Sequence, residues 1–253
     1  MPDFGQNQEN SIEILQNKTI KAESQTNLGR FVTAPYIKES GSLYAAPSGP
    51  ILTELLQGFT LLGTPVLQTV DSSHGLSVNY ATSTSNNNPA GYKSPVLFTY
   101  RQFNPYFRLK FNLVSTTLAR LFVGFSSNNT TIASETLIAA ADQGAMFGFQ
   151  NANANYNIYT NDGSAAALAT GLTPVVAKDT GIRAVEMWFD SAGFNVNLTG
   201  ITGAVASALV TTRLPAANTP LSLFFFYETA TTAANNWKLY NGYFEHTRTV
   251  SPL

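Results

Sequence analysis

Three side chains in one short stretch are of the types that polysaccharide chemistry uses. Glu186, Trp188 and Asp190 stand at alternate positions of residues 181–200, GIRAVEMWFDSAGFNVNLTG. Alternate residues of a strand share a face, so two carboxyls and an indole line up. Glycoside hydrolysis requires a carboxyl pair about 5–5.5 Å apart for retention, or about 6.5–9.5 Å apart for inversion. Four residues of strand put Glu186 and Asp190 about 13 Å apart. The position between them, where the second carboxyl would be needed, holds Trp188. Asp190 also opens the sequence Asp190-Ser191-Ala192-Gly193, in which an Asp bonds its own backbone and a Gly closes a short hairpin loop. The spacing therefore predicts a non-enzymatic sheet surface with no catalytic residue, an acid contributed by another strand being the alternative.

Other chemistries find less support. The two histidines, His74 in a polar turn and His246 near the C-terminus, lie beside no G-x-S-x-G elbow and are read as surface residues. There is no cysteine, which removes disulfides, thiol nucleophiles and thiolate-held zinc. A sugar site would use an exposed aromatic ring framed by amides. Tyr156, Tyr159, Trp188 and Trp237, with Tyr227, are the candidate glycan contacts, against the common fate of such rings as sandwich core. No cofactor is expected. The sequons at Asn17, Asn128, Asn129 and Asn197 are ordinary in a chain rich in Asn and Thr. Gly124, Gly148 and Gly242 sit inside strand patterns, where a glycine marks a bulge or close strand packing.

The composition limits the partners. Of 253 residues, 44% are hydrophobic and only 11% charged, with a net charge of -1. An average soluble protein has roughly 25% charged residues, so this surface is built from Asn, Thr, Ser and Gln. Nucleic-acid capture requires a basic stripe, and none is present. The N-terminus has neither a basic start nor an apolar core, so no secretory signal is expected. No apolar run reaches the roughly 18 residues of a membrane helix. Synthesis and retention in the cytoplasm, or release without a cleaved signal, is the expectation.

These side chains must be positioned by strands. Residues 106–114 alternate strictly: Phe107, Leu109, Phe111 and Leu113 point inward, Tyr106, Arg108, Lys110 and Asn112 outward. Residues 119–126 form a continuous apolar strand, and 181–200 form a hairpin. Further strands are expected over residues 61–70, 75–81, 94–103, 145–150, 156–160, 167–172, 206–213, 221–228 and 237–247. Residues 82–91 read as a polar loop, and 128–143 as a long connection with a helical turn at 134–141. Segments recurring at this spacing with Gly, Pro, Asn and Asp between them indicate an all-β sandwich or barrel. Residues 1–50 differ. Phe31, Val32, Tyr36, Ile37, Leu43 and Tyr44 form a candidate assembly interface on an extended arm, because a solvating tail would carry fewer aromatics and more charge. The domains expected are thus an attachment or oligomerisation arm, 1–50, and a sandwich, 51–253, opening with a helical turn at 51–56.

The order of motifs resembles a known family. Arg120-Leu121-Phe122-Val123-Gly124-Phe125, Met146-Phe147-Gly148-Phe149, Asn161-Asp162-Gly163, the 185–190 run VEMWFD, Gly193-Phe194-Asn195-Val196-Asn197, Leu214-Pro215 and Leu239-Tyr240-Asn241-Gly242-Tyr243-Phe244-Glu245 carry it. Together they resemble the concanavalin-A-like, laminin-G-like jelly rolls of structural proteins in tailed bacteriophages and related viruses, over residues 61–248. The resemblance implies a jelly-roll β-sandwich and a non-enzymatic virion part: a head-decoration, fibre or collar component anchored by its arm and assembled in the host cytoplasm. It implies capsid or other virion proteins as partners and a closed homo-oligomer, with a trimer preferred. The alternative is a lectin-like, carbohydrate-binding module for host attachment. Legume-type lectins of this fold hold calcium through a run of Asp and Asn. Here Asn151, Asn153, Asn155, Asn161 and Asp162 are nearly all neutral, so a polar loop without metal is expected.

Overall fold

The computed structural model describes residues 36–44, 59–62, 77–82, 89–95, 98–128, 141–200, 202–230 and 235–249. The expected helical turns at 51–56 and 134–141, most of the expected strand 61–70, the turn with His74, and Phe31 and Val32 lie wholly or almost wholly outside them.

The described residues form two antiparallel sheets. The first is built from β1 (Tyr36–Tyr44), β3 (Val78–Ala81), β6 (Tyr106–Leu113), β11 (Ile182–Phe189), β12 (Phe194–Gly200), β13 (Val205–Val210) and β15 (Asn236–Thr249). Its order is β1-β15-β6-β11-β12-β13, with β3 also on β15. The second contains β2 (Thr60–Leu62), β4 (Pro89–Lys93), β5 (Thr99–Tyr100), β7 (Ala119–Ser126), β8 (Gln143–Phe149), β9 (Asn157–Asp162), β10 (Leu168–Gly171) and β14 (Pro220–Thr229). Its order is β10-β9-β8-β7-β14-β4-β2, with β5 on one end of β14.

Alternation decides which side chains meet between the sheets. Phe107, Leu109 and Phe111 of β6, Val185, Met187 and Phe189 of β11, and Phe194, Val196 and Leu198 of β12 face Leu121, Val123 and Phe125 of β7 and Leu223, Phe225 and Tyr227 of β14 in one continuous core. Each such side chain contributes roughly 1.5–3 kcal/mol by leaving water. The second sheet is apolar on its other face too, where Phe122, Met146, Tyr159, Phe224 and Phe226 cluster. This explains why β7 and β14 read as continuous apolar runs and not as alternating ones.

Glycines make that second cluster possible. Gly124 pairs with Phe224 and Met146, and Gly148 with Phe122. A β-carbon on Gly124 would overlap the Ala145 carbonyl oxygen, and one on Gly148 that of Leu121. The bare backbone lets neighbouring strands approach closely beside the large rings. Gly242 follows a register shift between Leu239 and Asn241 in β15, a bulge of the kind expected of a strand glycine.

Three expectations change. Residues 89–91, read as loop, begin β4: Pro89 and Ala90 have no strand pattern of their own but are held by pairing to Glu228 and Tyr227. The expected strand 94–103 is only β5 followed by a 3-10 turn at Arg101–Phe103. His246, expected at the surface, is 5% exposed. Its Nδ1 lies 2.9 Å from the Thr99 hydroxyl, and Phe98, Phe103 and Phe244 surround the ring. The residues assigned to an arm also contribute to the sheet, since β1 runs antiparallel to β15 from Tyr36 opposite Thr249 to Tyr44 opposite Asn241.

Candidate functional site

The outward face of the first sheet carries a row of half-buried aromatics. The hairpin β11–β12 pairs Trp188 with Asn195. Register then sets Trp188 beside Tyr106 of β6, and Tyr106 beside Glu245 of β15. One step along, Glu186 faces Arg108, and Arg108 faces Tyr243. The rings follow each other across three strands: Trp188 to Tyr106 at 6.4 Å, Tyr106 to Tyr243 at 6.1 Å between centroids.

Polar partners lock these rings. The Trp188 indole donates to Asp190 Oδ2 at 3.1 Å, and the Asn195 amide donates to the same oxygen at 2.9 Å. Asp190 Oδ1 accepts the backbone amides of Ala192 and Gly193. Asp190 is thus the turn residue its sequence predicts. Partial desolvation pushes its carboxyl up, but the two amides, the indole and the Asn195 amide outweigh this and hold it below the ordinary range. With four donors on it, Asp190 fixes the Trp188 ring and the hairpin turn together.

Tyr106 is pushed up to about 12, first by burial and then by the negative charge of Glu186, which also accepts its hydroxyl. Its hydroxyl therefore remains a proton donor at neutral pH. The Tyr243 hydroxyl donates to Glu245 Oε2 at 2.5 Å. Arg108 Nε lies 3.4 Å from Glu186 Oε1, with about half of the Arg108 side chain in solvent. Such a pair adds little stability, but it orients both groups. Lys110 sits 5.0 Å over the Tyr240 ring. The surface offers ring edges and faces, carboxylate acceptors and a guanidinium, which suits a flat ligand with C–H faces and hydroxyls.

The other candidate sugar contacts lie elsewhere. Tyr156 and Trp237 are fully buried and Tyr159 is 4% exposed. Tyr156 stacks on Phe147 at 5.2 Å, Trp237 stacks on Tyr227 at 6.2 Å, and Tyr159 meets Phe122 edge-on while donating to Asn153 Oδ1. These rings are core: no face is open to a sugar. Only Trp188 of the candidates is on the platform. Tyr36, Ile37, Leu43 and Tyr44 lie in β1. The strict alternation of 106–113 already pointed Tyr106 and Arg108 outward; what joins them to Trp188 and Tyr243 is the pairing of strands far apart in sequence.

The calcium run does not fit a cation. Calcium takes six to eight oxygens, several from carboxylates. Asn153 Oδ1 instead accepts the Gln150 amide and the Tyr159 hydroxyl. Asn161 Oδ1 accepts the Gly163 amide and the Arg213 guanidinium. Asp162 Oδ1 is taken by Ser164. Among the described residues no group of three or more His, Asp or Glu is placed to hold a metal.

No protein-family model matches the chain, and no curated protein matches its sequence. Solved structures do match. A protein of unknown function from Shewanella oneidensis MR-1 is 16% identical, with 90% of this chain and 95% of that one covered at a TM-score of 0.60. A lectin from Bauhinia forficata in complex with GalNAc is 11% identical, with 85% and 100% covered at 0.53. The fold is a concanavalin-A-like jelly roll. A marine PL-14 alginate lyase from Aplysia kurodai shares it, at 9% identity, 83% and 98% coverage and a TM-score of 0.53. Binding proteins and an enzyme thus use one jelly roll, and identities this low carry the architecture and not the activity. Among the described residues no helix is long and apolar enough to cross a membrane.

Proposed function

We propose that this chain is a non-enzymatic, carbohydrate-binding β-sandwich that takes its ligand on the outward face of the first sheet. The observation that carries the reading is the half-buried row Trp188–Tyr106–Tyr243, held rigid by Asp190, Glu186 and Glu245. Rings fixed in this way order little on binding and present C–H/π area to a pyranose. Glu186 and Asp190 serve the platform, one paired to Arg108 and the other saturated by four donors, and this supports a site without turnover. The test is a glycan array followed by calorimetry. Saturable binding that weakens about tenfold or more in Trp188→Ala, with no sugar released from the polymer, is the expected result. Cleavage abolished by Glu186→Gln would replace the reading with an enzymatic one.

A second reading concerns where the sandwich works. We propose that it is a virion part, assembled in the host cytoplasm and fixed to a capsid or fibre neighbour by its N-terminal arm, in a closed homo-oligomer. The pairing of β1 with β15 supports it, because an arm that ends as an edge strand is tied to the body by a nine-residue ladder. A weakly charged, polar surface is consistent with packing in an assembly. Quantifying the chain on purified particles tests this: a fixed copy number per particle supports it, and absence from intact particles refutes it.

A further inference from the structure

We infer that the platform recognises a sugar carrying an acetamido group, with the pyranose stacked on Trp188, the acetamido amide on Asn195 and its methyl on Leu209. This ligand class rests on the carbohydrate reading above and makes it specific.

Three neighbouring strands set the three contacts side by side. Trp188 of β11 is paired with Asn195 of β12, and Asn195 with Leu209 of β13. All three side chains are set toward the hairpin turn. The Trp188 indole and the Asn195 amide both donate to Asp190 Oδ2. Leu209 lies over Gly193, where an added β-carbon would stand 3.1 Å from Leu209 Cδ1. The Leu209 side chain is 50% exposed. It is not held for pairing with a further strand, because the adjacent edge is taken: Ser207 exchanges both backbone hydrogen bonds with Thr173. The outward positions on this side of Trp188 are uncharged, with Asn195, Asn197 and Thr199 on β12 and Val205, Ser207 and Leu209 on β13. A neutral substituent lying there displaces no hydrated charge from these two strands.

The chemistry of the three groups matches an acetamido sugar. The indole takes the C–H face of a pyranose. Asn195 gives one amide hydrogen to Asp190; its other hydrogen and its carbonyl oxygen remain for a ligand. An acetamido group presents the complementary pair, a carbonyl oxygen and an N–H. Its methyl stands across a trans amide from the ring carbon, about 3.8 Å away, close to the spacing of about 4.8 Å between adjacent strands. A pyranose over the indole thus sets its amide over Asn195 and its methyl against the near side of Leu209. A 6-deoxy methyl is one bond, about 1.5 Å, from the ring and falls short. A hydroxyl in place of the acetamido group leaves Leu209 in water.

The test is a glycan array followed by ligand-observed NMR titration of the full chain. The titrated probes are the methyl glycosides of glucose, of galactose, of their 2-acetamido-2-deoxy derivatives and of fucose. The expected result is an acetamido sugar bound about tenfold or more tighter than its parent hexose and than fucose, with a nuclear Overhauser contact between the acetyl methyl and the Leu209 methyls. Leu209→Ser weakens the acetamido sugar about fourfold or more and removes that contact. Val205→Ser, further along the same face of β13, leaves the affinity unchanged. Far-ultraviolet dichroism and melting curves matching the parent show that each variant is folded. Best array ligands that lack an acetamido group, an acetamido sugar bound no tighter than its parent hexose, fucose bound as tightly as the acetamido sugars, or an affinity unmoved by Leu209→Ser would each overturn the inference while leaving carbohydrate binding in place. No saturable binding to any sugar would overturn the carbohydrate reading itself, and this inference with it.

Discussion

Trp188 and Asp190, two residues apart on one face, are joined by a hydrogen bond from the indole nitrogen to Oδ2 at 3.1 Å. The bond ties the platform's widest ring to the turn that closes the hairpin. Asp190→Ala removes the partner of the indole, of the Asn195 amide and of two backbone amides. For this partly exposed site the expected loss is about 1–2 kcal/mol, read as a lower denaturant midpoint. Ligand affinity should fall by less than in Trp188→Ala, because the ring remains but is no longer fixed.

Asp190 also gives a pH prediction with a defined sign. Its folded pKa lies below the unfolded value near 3.9. Its contribution is therefore present above the unfolded pKa and is lost as pH falls through the folded one. Acid titration of the melting temperature should show a decline below about pH 4 that is shallower in Asp190→Asn, Asp162 contributing the same sign in both.

The pair Arg120–Glu228 behaves oppositely. Both side chains are buried, 3.4 Å apart, and Glu228 Oε1 accepts no hydrogen bond. Burial pushes the Glu228 carboxyl up to about 7, and Arg120 offsets only part of that rise. The folded protein thus binds this proton more tightly than the unfolded chain, so stability should fall as pH rises from about 4.5 to about 7 and level off above. The size is on the order of 1–3 kcal/mol. Glu228→Gln should flatten that slope. Glu228→Leu removes the carboxylate 3.4 Å from the buried Arg120 guanidinium and should cost about 3–5 kcal/mol. Urea melts at several pH values measure all three.

Two glycine substitutions separate close packing from open surface. Gly148→Ala drives a methyl into the Leu121 carbonyl, in a strand buried on both faces. A loss of about 3 kcal/mol or more, or failure to fold, is expected. A β-carbon at Gly171 meets nothing within 4 Å, so Gly171→Ala should stay within about 0.5 kcal/mol of the parent. Chemical denaturation of the two variants in parallel tests the contrast.

The hairpin 181–200 and strands β6 and β7 were legible because each carries its own signal: alternation, a turn sequence, or an unbroken apolar run. β4 was not, since Pro89-Ala90-Gly91 has no pattern and forms a strand only against β14. Trp188 was legible as an outward residue, and so was Tyr106. Their meeting with Tyr243 depends on a register between β6 and β15, more than a hundred residues apart, that no local pattern encodes. Tyr156, Tyr159 and Trp237 failed as sugar contacts for the same reason. Whether an aromatic in a strand faces sugar or core is decided by the neighbouring sheet, not by the amides beside it in sequence.

The most direct test of the account is isothermal titration of the full chain and of Trp188→Ala with the best ligand from a glycan array. The account predicts saturable binding by the parent and a loss of about tenfold or more, near 1.4 kcal/mol, in the variant with an unchanged fold. Binding that survives Trp188→Ala undiminished, or no sugar binding by the parent at all, would contradict it.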